Sequence, residues 1–263
     1  MTTAPLTPST ARALPRWGGL SGTFVRLELR RLLRNRRTLV FSLVMPAVFF
    51  LLFGTNEGMK TDRIGGGNVT GYVMVSMAVY GAMLSTTSAG AAVSVERAAG
   101  WSRQLRLTPL RPAAYVVVKL LVAMALGAVS VAVAFGVGAL AGAQLDGPLW
   151  LESALLAWVC AFVFAAFGLF MGYLLPSENV MQVLGPLLAI LSFAGGLFVP
   201  LDQLGDVFAS LARFSPVYGV AVVARYPLTH DGSLPVAVLN VAAWTALFAA
   251  GAAWRFRRDT ARV

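Results

Sequence analysis

The sequence predicts an all-α integral membrane protein with six transmembrane helices, an N-terminal interfacial amphipathic helix, a cytoplasmic coupling helix and an outer re-entrant helical hairpin. Of its 263 residues, 58% are hydrophobic and 12% charged, where a soluble domain carries about 25% charged residues. The mean hydropathy is +0.75. Apolar runs near the roughly 20 residues needed to cross a bilayer recur along the chain, with basic residues crowding their ends. These runs leave too little chain for a soluble catalytic domain.

Residues 1–22 are rich in Pro, Thr, Ala and Gly and lack an apolar core, so they predict a flexible cytoplasmic tail and not a cleaved signal. Residues 23–37 predict an interfacial connecting helix. In FVRLELRRLLRNRR, helical periodicity gathers Val25, Leu29, Leu32 and Leu33 on one arc and Arg26, Arg30, Arg31, Arg34 and Arg37 on another. The leucines are expected to sink into the acyl boundary while the arginines meet anionic headgroups.

A six-span membrane domain then fills 38–258, with spans at about 38–53, 69–95, 114–143, 150–175, 180–199 and 234–254, before a short tail at 259–263. Pro46 predicts a kink in the first span. Small residues at helical spacing, Gly81, Ser85 and Ala89, then Ala134, Gly138 and Gly142, then Gly168 and Gly172, predict close helix contacts. Met74, Met77, Tyr80 and Met83 on the second span, with Phe193 and Phe198 on the fifth, form a candidate substrate path, since methionine and aromatic side chains adapt to varied amphiphilic shapes.

Lysine and arginine counts orient the chain. Eight precede the first span, four lie in the loop after the second and four follow the sixth, whereas the opposite loops hold Lys60 and Arg63, none, and then Arg213 and Arg225. Both termini and the loop 96–112 are therefore expected in the cytoplasm. That loop reads ERAAGWSRQLRLTPLRP; Trp101, Leu105 and Thr108 fall at helical spacing opposite Arg103 and Arg106, and Thr108-Pro109 ends the helix. Its aromatic is expected to face a protein partner. On the outer side, 200–232 carries an amphipathic face of Leu204, Val207, Phe208 and Leu211, then Pro216 and an apolar run too short to cross. Gly195, Gly196 and Pro200 would let the fifth span break off below the surface. Pro200, Phe208, Leu211, Pro216 and Arg225 are the expected outer gate.

Other chemistry is missing. The net charge of +10 would suggest nucleic acid in a soluble protein, but these charges sit at span ends and orient the chain; no nucleic acid is expected. The single cysteine, Cys160, excludes an intramolecular disulfide, and His230, the lone histidine, cannot build a metal site. There is no P-loop, the nearest miss being GTNEGMKT at 54–61. No cofactor is expected on this chain. Asn68-Val69-Thr70 matches a glycosylation acceptor by chance, because the Ala-, Gly- and Arg-rich composition looks bacterial. An ion-coupled secondary transporter and a membrane scaffold are the rival classes. Ion coupling normally places ionisable groups mid-span; here only Lys119 approaches, close enough to the inner end to snorkel.

Glu96-Arg97, Gly100, Leu105, Arg106, Thr108-Pro109-Leu110 and Lys119 follow an ERxxG start, an LRxTPL centre and a lysine opening the next span, and Gly196 to Pro200 with Phe214, Pro216 and Arg225 forms a second match. On these residues the chain resembles the type-2 ABC transporter permeases, in particular the daunorubicin-resistance-like drug-efflux branch, over about 24–258. It departs at Ala98-Ala99, in place of a second Glu-Arg pair, and at Gly205, in place of a proline. The resemblance implies that two six-span subunits, identical or related, join two ABC ATP-binding subunits in a bacterial cytoplasmic membrane and expel amphiphilic drugs, antibiotics or lipid-like molecules. It also implies that Glu96, Arg97, Gly100, Trp101, Leu105, Arg106, Thr108 and Pro109 couple the chain to the ATPase, the partner subunit that would hold ATP and Mg.

Overall fold

The computed structural model describes residues 22–100 and 112–261. Helix α1 (Gly22–Arg34) leads through Asn35 into α2 (Arg36–Leu39), a π turn (Val40–Val44) and α3 (Met45–Phe53). The π turn falls directly ahead of Pro46. A proline lacks the amide hydrogen and crowds the carbonyl one turn back, and a widened turn absorbs both effects without breaking the helix. Then come α4 (Glu57–Thr61) and a small hairpin, β1 (Arg63–Ile64) against β2 (Gly67–Asn68), antiparallel with Arg63 opposite Asn68. Gly65 makes the turn at φ +53°, and a Cβ there would stand 1.9 Å from the Leu228 carbonyl oxygen.

Helix α5 (Val69–Ala91) continues almost directly into α6 (Val93–Ala98). Asn68 caps it. Its side-chain oxygen accepts from the amides of Gly71 (2.8 Å) and Gln144 (2.9 Å), while its Nδ2 donates to the carbonyls of Lys60 and Gly142. This asparagine is wholly buried, so the matched glycosylation tripeptide is a helix cap that ties two loops together.

Helices α7 (Pro112–Leu140), α8 (Leu149–Cys160), α9 (Phe162–Leu174), α10 (Val180–Ala194), a 3-10 turn (Leu201–Leu204), α11 (Asp206–Ala212), α12 (Pro216–Thr229) and α13 (Leu234–Ala261) complete the order. Among the described residues, four stretches are long and apolar enough to cross a membrane: Val69–Ala98, Ala113–Leu140, Leu149–Leu174 and Leu234–Arg258. Helices α11 and α12, bent by 93° at their junction, form a fifth candidate only if counted together. The first and fifth expected spans are shorter apolar helices, Val40–Phe53 and Val180–Ala194. At a rise of about 1.5 Å per residue such helices cover only some two thirds of a hydrocarbon core roughly 30 Å thick. The fifth stops early because Gly195 and Gly196 follow Ala194, Gly196 at φ +74°.

Helix α5 is the hub. The apolar stretch containing it is 78% buried, against 17% for α13, which therefore lies at the rim. It packs chiefly on α7 and α9, and α12 fills the space between α5, α8 and α13. Glycines make the α5–α9 contact: a Cβ on Gly168 would lie 2.2 Å from the Thr87 carbonyl oxygen, so the two backbones touch. Gly172 lies against Ala91 one turn on. Close packing holds this interface, and the Thr87 hydroxyl adds a hydrogen bond across it to the Phe164 carbonyl (3.3 Å).

Candidate functional site

Where α6 ends and α7 begins, ionic side chains meet in the interior. Glu96 on α6 and Glu28 on α1 both accept from the ammonium of Lys119 on α7, at 2.5 Å (Oε1) and 2.6 Å (Oε2). All three residues are 5% exposed or less. The Tyr115 hydroxyl donates to the second oxygen of Glu96. Arg31 Nη1 reaches Glu96 Oε1 at 2.8 Å and Glu28 Oε1 at 3.7 Å from the water side, its side chain half exposed. Two carboxylates and two cations balance, which is the condition for charges to remain buried. Lys119 therefore does not snorkel, as the sequence suggested; carboxylates on two neighbouring elements give its ammonium better partners than headgroup water would.

The elements explain the convergence. In α1, Val25, Glu28, Leu29 and Leu32 follow the i, i+3, i+4, i+7 stripe of an inward face. Leu29 and Leu32 pack, half-buried, beside Ala123 and Leu126, while Leu27 and Leu33 are exposed. Glu28 shares the inward stripe and is carried onto α7. The acidic residue within an apolar arc was the available signal for it, and the arginine count obscured it. Arg26, Arg30 and Arg34 are exposed on the other arc.

Arg97, next to Glu96, donates to the carbonyls of Gly172 (3.1 Å) and Tyr173 (2.9 Å), capping the last turn of α9. Gly100 follows at φ +73°, its amide on the Arg97 carbonyl, in the left-handed conformation that stops a helix. Glu96, Arg97 and Gly100 thus bind α6 to α1, α7 and α9 and then turn the chain. Trp101, Leu105, Arg106, Thr108 and Pro109, and the Arg37 side chain, lie outside the described residues.

At the opposite end, Arg225 lies within α12 and is buried, not in an outward loop, because the helix runs on past the expected apolar segment to Thr229. Its Nη1 donates to the Tyr72 hydroxyl (2.6 Å), the Gly196 carbonyl (3.0 Å) and Ser76 Oγ (3.4 Å), and its Nε to the Ala221 carbonyl. The guanidinium also stacks over the Tyr72 ring at 4.7 Å. One side chain so ties α5, the end of α10 and α12 together. Pro216 opens α12 behind a Ser215 cap, and Pro200 precedes the 3-10 turn. On α11, Phe208 and Leu211 are exposed.

Along the suggested path, Met74, Met77 and Met83 are at most 2% exposed. They fill the core instead of lining a surface; Gly138 on α7 makes room for Met74 Sδ. The aromatics behave differently. Tyr80 meets Phe198 at 4.9 Å, Phe198 meets Phe193 at 4.8 Å, and Phe49 joins them from α3 at 6.0 Å. Phe193 is 54% exposed, so this cluster reaches the protein surface. Phe49 was not anticipated, since nothing in a short apolar run marks one phenylalanine over another.

Comparison with known proteins gives a family match: the profile described as ABC-2 type transporter covers residues 21–227. YvfS of Bacillus subtilis (strain 168), named as a transport permease, is 27% identical over 195 residues, which is 73% of this chain and 78% of that protein.

Proposed function

Because this chain belongs to the ABC-2 type transporter family, we propose that it is the membrane subunit of an ATP-driven exporter whose ATP-binding subunit is a separate polypeptide. It is a multi-pass membrane protein and a transport permease by family. In the proposed arrangement six segments enter the bilayer, the two short apolar helices crossing with the help of flanking interfacial residues and α11–α12 forming the outer re-entrant pair. Both termini and residues 96–112 face the cytoplasm of a bacterial inner membrane, and two copies, or one copy and a related chain, enclose the path. Amphiphilic molecules pass along the aromatic surface of Tyr80, Phe193, Phe198 and Phe49.

The observation that carries this proposal is the buried Glu28–Lys119–Glu96 cluster. It joins the interfacial helix to two bundle helices at the root of the loop expected to meet the ATPase. Packed, ion-paired elements move as a unit, so a small displacement of that loop is delivered to α1, α6 and α7 together. At the far end Arg225 ties α5 to the hairpin, and α5 continues into α6. An ion-coupled mechanism has less support, because the cluster is internally neutralised and sits at a helix end.

The test is purification of the tagged chain from its own membranes, followed by ATPase and dye-export measurements in liposomes. An ATP-binding subunit should accompany wild type, and a fluorescent amphiphilic dye should move only with ATP. Trp101→Ala should weaken that association by roughly thirtyfold, as for an aromatic worth about 2 kcal/mol at an interface centre. Glu96→Gln should keep the association and lose dye-stimulated hydrolysis. Dye movement without any ATP-binding subunit would refute the proposal.

A further inference from the structure

A groove of about 460 Å³ opens between α7, α9 and α13, beside the first turns of α7, the length of α9 and the last turns of α13. This lies within the roughly 300–1,000 Å³ of ligand sites. Val117, Leu120, Phe162 and Leu169 wall it, and it is hollow because α13 presents Ala249, Ala252 and Ala253 where larger side chains would close it. Val117 and Phe162 are both more than a third exposed, so the groove opens sideways, toward whatever surrounds the bundle. In a membrane the surrounding solvent is lipid.

Arg257 lines the groove at its end. Arg255 and Arg258 turn instead to the Trp254 ring, 5.7 and 4.2 Å from its centroid. A guanidinium carries five donors in a planar fork that fits phosphate oxygens, so a bond already made leaves others for an anion. An apolar slot with an arginine at its end fits a molecule with a long hydrocarbon chain and an anionic head, and it offers little to a polar solute.

We propose that this groove binds an anionic phospholipid of the adjoining leaflet, one acyl chain between α7 and α13 and the phosphate against Arg257. Basic pockets between membrane helices on the cytoplasmic side bind such headgroups, and that leaflet is where anionic lipids attract basic residues. Tyr173 lines the groove while its carbonyl accepts from Arg97. An occupied groove therefore braces the helix end on which Arg97 is anchored, next to Glu96. The inference needs the chain to lie in a membrane but not to export anything, so its failure leaves the permease proposal standing.

The experiment is native mass spectrometry of the full chain in detergent, titrated with dioleoylphosphatidylglycerol and, separately, dioleoylphosphatidylcholine. Wild type should retain one phosphatidylglycerol about tenfold more tightly than phosphatidylcholine, the size expected of charge-assisted hydrogen bonds. Arg257→Gln should remove that preference and keep phosphatidylcholine retention. Ala249→Phe should abolish retention of both; should it fail to fold, Ala253→Leu fills the same space from an exposed position. Equal retention of the two lipids by wild type, or undiminished phosphatidylglycerol on a folded, filled variant, would overturn the proposal. So would a disulfide between Leu105→Cys and Ala253→Cys, which would put chain in place of lipid.

Discussion

Lys119 carries the highest stakes of any single residue. Its ammonium is shared by two buried carboxylates, so Lys119→Met leaves Glu28 and Glu96 together with only Arg31 to balance them. Removing one partner of a buried pair costs about 3–5 kcal/mol, mostly through the charge left behind. Scanning fluorimetry of the solubilised protein should show a marked fall in melting temperature for Lys119→Met. Adding Glu28→Gln should restore part of the loss, because the double variant keeps the neutral Arg31–Glu96 pair; a double variant less stable than Lys119→Met alone would show that the cluster is not electrostatically coupled. Of this site, Glu96 and Lys119 were legible as individual charges in an apolar context. Their pairing was not, since it depends on α1 packing beside α7, which sequence spacing cannot state.

Among the elements, the α5–α9 contact decides whether the bundle closes. Gly168 sits against the backbone of Thr87, whereas Gly136, on α7, has open space where a Cβ would go. Gly168→Ala should therefore destabilise by about 1–3 kcal/mol through forced separation of the helices. Gly136→Ala should be neutral or gain up to about 1 kcal/mol from helix propensity. Thermal melting of the two variants side by side checks this, and equal effects would mean that α5 and α9 do not pack this closely. The small-residue spacing gave Gly168 and Gly172 a role from sequence. It could not say which helix they face, nor that Met74, on the same span as Tyr80, would be used as filler against Gly138.

At the scale of the whole molecule, orientation is the open prediction. In a Cys160→Ser background, Gly58→Cys should react with an impermeant maleimide in intact cells, and Glu178→Cys should react only after the membrane is opened. Both positions are solvent-facing in the fold, so accessibility and sidedness are not confused. Reaction of Glu178→Cys from outside would invert the topology. What the sequence determined was the class of protein: a chain with this hydropathy and so few charges can satisfy its backbone only as helices in lipid. The place where the fifth apolar segment stops followed from local chemistry as well, through the Gly195-Gly196 pair. What only the tertiary structure decided was partnership. Arg225 was placed outside by its charge and lies inside because Tyr72, Ser76 and the Gly196 carbonyl, far away in sequence, converge on it. Likewise Lys119 was assigned to the interface until Glu28, 91 positions earlier, met it. The cost of burying a charge depends on which groups surround it, and that is a property of the folded chain and not of its order.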